Sequence, residues 1–276
     1  MTAPDLPAAP ASPPSTGLPT TLGAGGAVHS GPAGPARRVL AQARFELGTL
    51  VRNGEQLLVS LVLPLGALVG LVLATAPSLG AGRRVDVATP GVLALCVISA
   101  AFTAQAISTG FDRRYAVLRL LGTTPLGRDG LLLAKAVATV AVEVGQWAVV
   151  GIAGALLGWR PDAFGAAPAL LFLLVGTWAF VALALLLAGS LRAEGVLAVA
   201  NLVWVLLLAL GGVLVPRSAL PMGLSHLASV LPSSALADGL RTAFGAGTLD
   251  GASLLLLLAW GAGATVLARR TFRWSD

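Results

Sequence analysis

The chain is poor in charged, aromatic and chemically reactive residues. Charged residues make up 11% of its 276 positions, aromatic residues 5%, and there are one cysteine and two histidines. Soluble domains carry about 25% charged residues, so this composition excludes an ordinary water-soluble protein. With 56% hydrophobic residues and a mean hydropathy of +0.87, the composition indicates a protein of the lipid bilayer.

The scarce residues also exclude several kinds of site. A single cysteine, Cys96, cannot form an intramolecular disulfide, and His29 and His226 are too few for a usual zinc or haem site. The only lysine, Lys135, stands between alanines, so the chain lacks the Gly-Lys-Ser/Thr turn of a P-loop. Ser253, near the start of the last apolar run, would need a base to act as a nucleophile, and no apolar run holds a histidine that could serve as one. The sequence therefore predicts no catalytic residue, metal or cofactor in this chain.

The first 53 residues divide into two segments. Residues 1–35, rich in Pro, Ala, Gly, Ser and Thr, are predicted to form a disordered cytoplasmic tail, with the transmembrane domain in residues 36–276. Residues 37–53 predict an amphipathic helix that lies flat in the membrane interface. A helix packed on a soluble partner is the alternative. One face of the helix carries Leu40, Ala43, Leu47, Leu50 and Val51.

Six apolar runs follow, each long enough to cross about 30 Å of hydrocarbon. They are residues 57–74, 90–111, 131–157, 168–188, 195–215 and 251–268. If the N-terminus is inside, the inside segments hold twelve arginines and the outside segments five. This bias predicts cytoplasmic N- and C-termini. The expected fold is an all-α integral membrane protein with six transmembrane helices, the N-terminal interfacial helix and two short outer helices before the last span.

The two longest connections are not simple polar loops. In residues 112–130, Asp112 can begin a short helix that Gly122 ends and Pro125 prevents from continuing. This basic segment is either a surface that presses on a partner or a loop whose arginines only set the topology. In residues 215–250, Leu236, Leu240 and Phe244 recur at every fourth position, which predicts two amphipathic helices that cap the outside; a floppy surface loop is the alternative.

The third run carries a polar stripe of Lys135, Glu143 and Gln146. An ionisable group as deep as Glu143 must be paired, protonated or hydrated. One interpretation gives Glu143 a functional role, in the wall of a hydrated cavity or in a proton-coupled step. The other makes it a structural contact between spans, with Asn201 or Gln105 as partner.

The order of these segments from Arg37 to the C-terminus resembles an ABC-2-type ABC transporter permease. The stretch Phe111-Asp112-Arg113-Arg114, with the residues that follow it to Lys135, is similar to the region around the first coupling helix of that family. Leu231-Pro232-Ser233-Ser234 and Asp238-Gly239-Leu240-Arg241, with Val215-Pro216 and Leu220-Pro221 before them, are similar to its outer segment before the last helix.

The resemblance implies an ATP-driven mechanism with shared components. A separate ABC-type ATP-binding subunit would hold ATP and Mg. A second permease protomer, identical or paralogous, would complete the dimer. Membrane lipids are further expected partners, and nucleic acid is not an expected partner. The residues expected to couple to the ATP-binding subunit are Asp112, Arg113, Arg114, Tyr115, Leu118, Arg119 and Leu121. Those expected along the translocation path are Phe102, Thr103, Gln105, Glu143, Asn201, Trp204 and Leu208.

The resemblance and the apolar path imply export of a hydrophobic or amphipathic substrate, such as a drug, lipid or glycolipid. The expected location is a bacterial plasma membrane. The alternative function is a non-transporting membrane scaffold, immunity or sensor subunit.

Overall fold

The structure, a computed structural model, describes residues 33–52, 54–80 and 82–271. Nearly all of the predicted tail, residues 1–35, lies outside the described residues, as does Asn53, the last residue of the predicted interfacial helix. Within the described part of the chain the secondary structure is helical and contains no strand. The all-α expectation is therefore confirmed there.

The described membrane domain contains eleven α-helices, one π-helical segment and two 3-10 turns, Ala163–Gly165 and Arg217–Ala219. The α-helices and the π segment carry the fold. They are α1 Pro35–Arg52, α2 Gly54–Leu73, α3 Arg84–Val97, the π segment Ile98–Ala104, α4 Gln105–Arg114, α5 Val117–Gly122, α6 Gly127–Leu156, α7 Ala166–Ser190, α8 Ala193–Leu210, α9 Met222–Ser229, α10 Pro232–Ala246 and α11 Gly251–Thr271. The helix α3, the π segment and α4 follow one another without a break, so one long helix covers the second apolar run.

Among the described residues, five helices are long and apolar enough to cross a bilayer. They are Arg84–Arg114, Asp129–Leu156, Ala163–Ser190, Ala193–Leu210 and Gly251–Thr271. The apolar part of α2 is the shorter helix Ser60–Leu73, so a sixth span there stays a prediction. The fifth apolar run was predicted to continue to residue 215, but α8 ends at Leu210 because Gly212 has a φ of 66°.

The segment between α8 and α11 holds two helices, α9 and α10. Pro232 opens α10 at its first turn, where its missing N–H is not needed, and Gly247 with a φ of 67° follows its end. Leu236 and Leu240 are fully buried, and α10 packs against α3, α7 and α11. The predicted apolar face of this segment is thus the face by which α10 packs on the helical domain.

Arg241 anchors α10 to the end of α8. Its Nη1 donates to the Gly212 carbonyl at 2.8 Å and to Asp238 at 3.2 Å, and its Nη2 donates to the Val213 carbonyl. Burial lowers the pKa of Arg241, and the Asp238 carboxylate opposes that shift. The guanidinium thus stabilises backbone carbonyls that no helix satisfies.

Gly239 provides a test of how tightly α10 is packed. A Cβ at this position would lie 2.3 Å from the Phe172 ring, whereas a Cβ at Gly245 on the same helix would meet nothing within 4 Å. We expect Gly239→Ala to destabilise the protein by about 1–3 kcal/mol through overpacking. Gly245→Ala should be neutral or stabilising through its better helix propensity. Thermal unfolding in lipid nanodiscs measures both; equal stability of the two variants would contradict this packing.

Candidate functional site

The only lysine of the chain is fully buried between three helices. Lys135 of α6 has its Nζ 3.1 Å from Glu46 Oε2 of α1 and 3.2 Å from Asp112 Oδ2 near the end of α4. We refer to these three residues as the Lys135 cluster. It joins the N-terminal helix, the second predicted span and the third predicted span at one point.

The charges of the Lys135 cluster depend on one another. A buried ammonium loses its hydration and must regain that energy from close, hydrogen-bonded carboxylates. Glu46 is 8% exposed and also accepts a hydrogen bond from Gln42 at 3.0 Å, which offsets part of the second negative charge. The Asp112 side chain is 28% exposed and therefore reaches the edge of the domain.

This ion pair determines which face of α1 is buried. Ala43 and Glu46 are buried in the packing of α1 on α6, whereas Leu40 and Val51, both on the predicted apolar face, are each 55% exposed. The buried face thus shares Ala43 with the predicted apolar face but is rotated toward Glu46. The interfacial position of α1 stays a prediction.

The chain turns sharply between α4 and α5. Ala116 has a φ of 60°, a left-handed conformation that ends α4 and redirects the backbone into α5. Leu118, in the first turn of α5, is fully buried. After α5, the Pro125 carbonyl accepts a hydrogen bond of 3.0 Å from Arg38 Nη1 of α1. Both ends of α5 are therefore held by contacts with the domain.

One side of this segment is exposed. Tyr115 and Leu120 are each 70% exposed. The Tyr115 ring also stacks on Phe111, with 6.2 Å between the ring centroids. We name the exposed patch the α5 surface; it consists of Tyr115, Leu120, Thr123, Thr124 and Pro125.

The arginines expected to contact a partner make contacts within the chain. Arg113 is buried and donates to the carbonyls of Ala188, at 2.6 Å, and Leu191, where α7 ends. Arg114 pairs with Glu194 in the first turn of α8. A cation at the carbonyl end of a helix is electrostatically favourable. Of the other predicted coupling residues, Leu121 is half-buried, and the Arg119 side chain lies outside what the structure describes.

A cavity of about 330 Å³ lies between α2, the long second-run helix, α6 and α8. Four of the seven predicted path residues line it: Thr103, Gln105, Asn201 and Trp204. The remaining three do not. Phe102 packs edge-on against Phe180 with 6.5 Å between ring centroids, and Leu208 packs against the hydrophobic core.

Glu143 lies away from the cavity wall and makes a contact between helices. It is fully buried and accepts a hydrogen bond from the Thr177 hydroxyl of α7. The two partners suggested by the sequence were wrong, because Gln105 donates to Thr139 at 2.7 Å and Asn201 to the Leu197 carbonyl at 2.8 Å. The geometry matches the structural alternative for Glu143, a polar link between α6 and α7.

The sequence profile of the family described as ABC-2 type transporter matches residues 38–244. This is three quarters of the chain and includes the Lys135 cluster, the α5 surface and the cavity. The chain belongs to the ABC-2 type transporter family. It is accordingly a multi-pass membrane protein and the permease component of a transporter, not itself catalytic, and members of the family normally work with an ATP-binding subunit. No curated protein matches the chain.

Sequence reasoning missed several residues of this ABC-2 domain. Glu46 of α1 was not predicted as a site residue. It is the only acidic residue of α1, and a lysine within a span needs an acidic partner, so the two could have been paired from the sequence. Thr139 and Ser60 were missed because hydroxyls within apolar runs carry no periodic signal. Both contact glutamines that line the cavity.

The Lys135 cluster predicts a strong asymmetry among charge deletions in the ABC-2 domain. Lys135→Met leaves two carboxylates without their cation, and we expect it to destabilise the protein by about 3–5 kcal/mol. The triple variant Glu46→Gln, Asp112→Asn, Lys135→Met should recover most of that loss. Unfolding in nanodiscs, followed by circular dichroism, provides the measurement.

Asp129→Asn is the matched control. Its carboxylate pairs with Arg269 at 2.6 Å, and both side chains are more than half exposed. An exposed pair contributes about 0–1 kcal/mol. If Lys135→Met proves as mild as Asp129→Asn, the cluster does not hold the three helices together.

Proposed function

We propose that this chain is the permease subunit of an ATP-driven exporter in a bacterial plasma membrane. Two permease protomers, identical or paralogous, pair in the membrane, and each docks an ATP-binding subunit that holds ATP and Mg. The observation that carries the proposal is the α5 surface, an exposed apolar patch fixed to the membrane helices by buried charge. The arginine distribution supports placing it, with both termini, in the cytoplasm.

The contacts around α4 explain how a push on the α5 surface would reach the membrane. The last three residues of α4 bind three other helices: Asp112 binds Lys135 of α6, Arg113 binds a carbonyl at the end of α7, and Arg114 binds Glu194 of α8. Lys135 in turn binds Glu46 and so adds α1. A displaced α5 therefore moves these helices together rather than bending one of them. Rigid-body movement of packed helices is the usual form of such transitions.

The cavity supports an amphipathic substrate. Half of its fourteen lining residues are apolar, among them Leu63, Pro64, Ile107 and Val142, and half carry polar side chains. We propose that the path runs beside this cavity, between α4 and α8, past Thr103, Gln105, Asn201 and Trp204. Leu202, Val205 and Leu206 of α8 are exposed and are available to the second protomer or to lipid.

Copurification with the ATP-binding subunit tests the proposal. The double variant Tyr115→Ala, Leu120→Arg removes the apolar contacts of the α5 surface without touching the Lys135 cluster. We expect recovery of the ATP-binding subunit to fall about tenfold or more, because buried aromatic and aliphatic anchors dominate such interfaces. Arg113 is unsuitable for this test, since its substitution would also disturb the end of α7.

Thr248→Arg, an exposed position between α10 and α11, is the control and should leave copurification unchanged. The double variant must first show an unfolding temperature like that of the unchanged chain. Undiminished recovery of the ATP-binding subunit would contradict the assignment of the α5 surface. Purification of a functional form with no ATP-binding subunit would favour the scaffold, immunity or sensor alternative.

A further inference from the structure

Two glutamines that line the cavity each have a buried amide oxygen without a hydrogen-bond partner in the described structure. Gln105 of α4 and Gln146 of α6 line the cavity, and each is 2% exposed. The Oε1 atom of each has no partner within the described structure. A buried acceptor without a partner costs about 1–3 kcal/mol. Two of them in residues that line the same cavity need an explanation.

The orientation of both amides is determined by their neighbours. Gln146 Nε2 lies 3.3 Å from the Ser60 carbonyl oxygen, which can only accept, so the amide nitrogen must face it. Gln105 Nε2 donates to Thr139 at 2.7 Å, and the single Thr139 hydroxyl hydrogen goes to the Lys135 carbonyl at 2.8 Å. In both residues the nitrogen is therefore engaged and the remaining group is an acceptor.

The backbone of the long second-run helix is also unusual where it lines the cavity. The π segment Ile98–Ala104 interrupts the long second-run helix, and Ser99, Ala100, Thr103 and Ala104 of this segment line the cavity. Thr103 Oγ1 is a third buried polar atom without a partner. Single π turns within α-helices occur mostly at functional sites, because they realign side chains at the expense of regular hydrogen bonds. This observation is independent of the glutamines and indicates the same cavity.

The charge of the wall limits what can bind. No Asp, Glu, Lys, Arg or His is among the residues that line the cavity. An ion placed there would lose its hydration without gaining a counter-charge, and an anion would in addition face the amide oxygens. A neutral group with O–H donors satisfies the acceptors, while the apolar wall accommodates a hydrocarbon chain. A volume of about 330 Å³ lies within the usual range for ligand sites.

We propose that this cavity binds an uncharged amphiphile through a hydroxyl-bearing headgroup, with its hydroxyls donating to Gln105 Oε1 and Gln146 Oε1. Glycolipid-like and polyol-headed lipids are the ligand class. The statement that this ligand is the transported substrate rests on the proposed function; its binding does not. Hydrogen bonds to the headgroup select the ligand, and the chain contributes apolar burial.

The first experiment changes the ligand and leaves the protein intact. The full chain, with its copurified ATP-binding subunit and without nucleotide, is placed in nanodiscs and labelled with a dodecyl glucoside that carries a diazirine in its chain. Dodecyl glucoside should compete for labelling of peptides from α2, α4, α6 and α8. Its tetra-O-methyl analogue, which has no donor, and dodecyltrimethylammonium should compete about tenfold less well, or worse.

The second experiment changes the acceptors. Gln105→Met and Gln146→Met keep side-chain length and remove the amide oxygen, and each should weaken competition by the glucoside about fivefold. Neither should affect competition by the tetra-O-methyl analogue, which has no donor to lose. Leu63→Met, on the same wall and without a change of acceptors, should leave both competitors unaffected.

The outcomes separate this inference from the proposed function. Equal competition by glucoside and methylated analogue, or stronger competition by the ammonium, would overturn the hydroxyl headgroup, even if the glutamine variants do not fold. Equal weakening of both competitors in the Met variants would also overturn it. If the glucoside and its methylated analogue compete equally while the ATP-binding subunit still copurifies, the cavity assignment is refuted and the proposed function is not. Selective labelling of a chain that binds no such subunit supports the site and refutes the proposed function.

Discussion

The burial of one lysine determines much of how this domain is built. Lys135 lies among apolar helices, where an ammonium without partners would lose its hydration with nothing to replace it. Its two carboxylate partners come from helices far apart in sequence, and both must be present at the same point. The cluster thereby fixes where α1 and the last turn of α4 lie against α6. The direction of α5 depends on that end, because Asp112 and the left-handed Ala116 are only four residues apart.

The same few residues connect the α5 surface with the cavity. Helix α4 begins with Gln105 in the cavity wall and ends with the residues that contact α6, α7 and α8. On α6, the Thr139 hydroxyl binds both Gln105 and the Lys135 carbonyl, one turn from the cluster. A change at the α5 surface and a ligand in the cavity would therefore act on the same two helices. Such a shared element is what coupling between two sites requires.

Apolar periodicity was sufficient to predict an all-helical membrane domain, but not the partners of polar side chains. The sequence placed Lys135, Glu143 and Gln146 on one helix, yet Glu46, Thr177 and Ser60 come from other helices and have no local signature. The family resemblance led us to expect Arg113 and Arg114 at the contact with the ATP-binding subunit, and it gave no sign of their contacts within the chain. They bind α7 and α8, since the ends of those helices offer carbonyl oxygens and a carboxylate within reach.

The most direct test of this account is to identify what contacts the α5 surface. A photoreactive amino acid at Leu120, irradiated in native membranes, should form an adduct with the ATP-binding subunit. The same amino acid at Thr248 should not, because that position lies beyond the other end of the membrane helices in the proposed topology. An adduct at Thr248 but not at Leu120, or lipid adducts alone at Leu120, would contradict the proposed entry of ATP-derived force through α5.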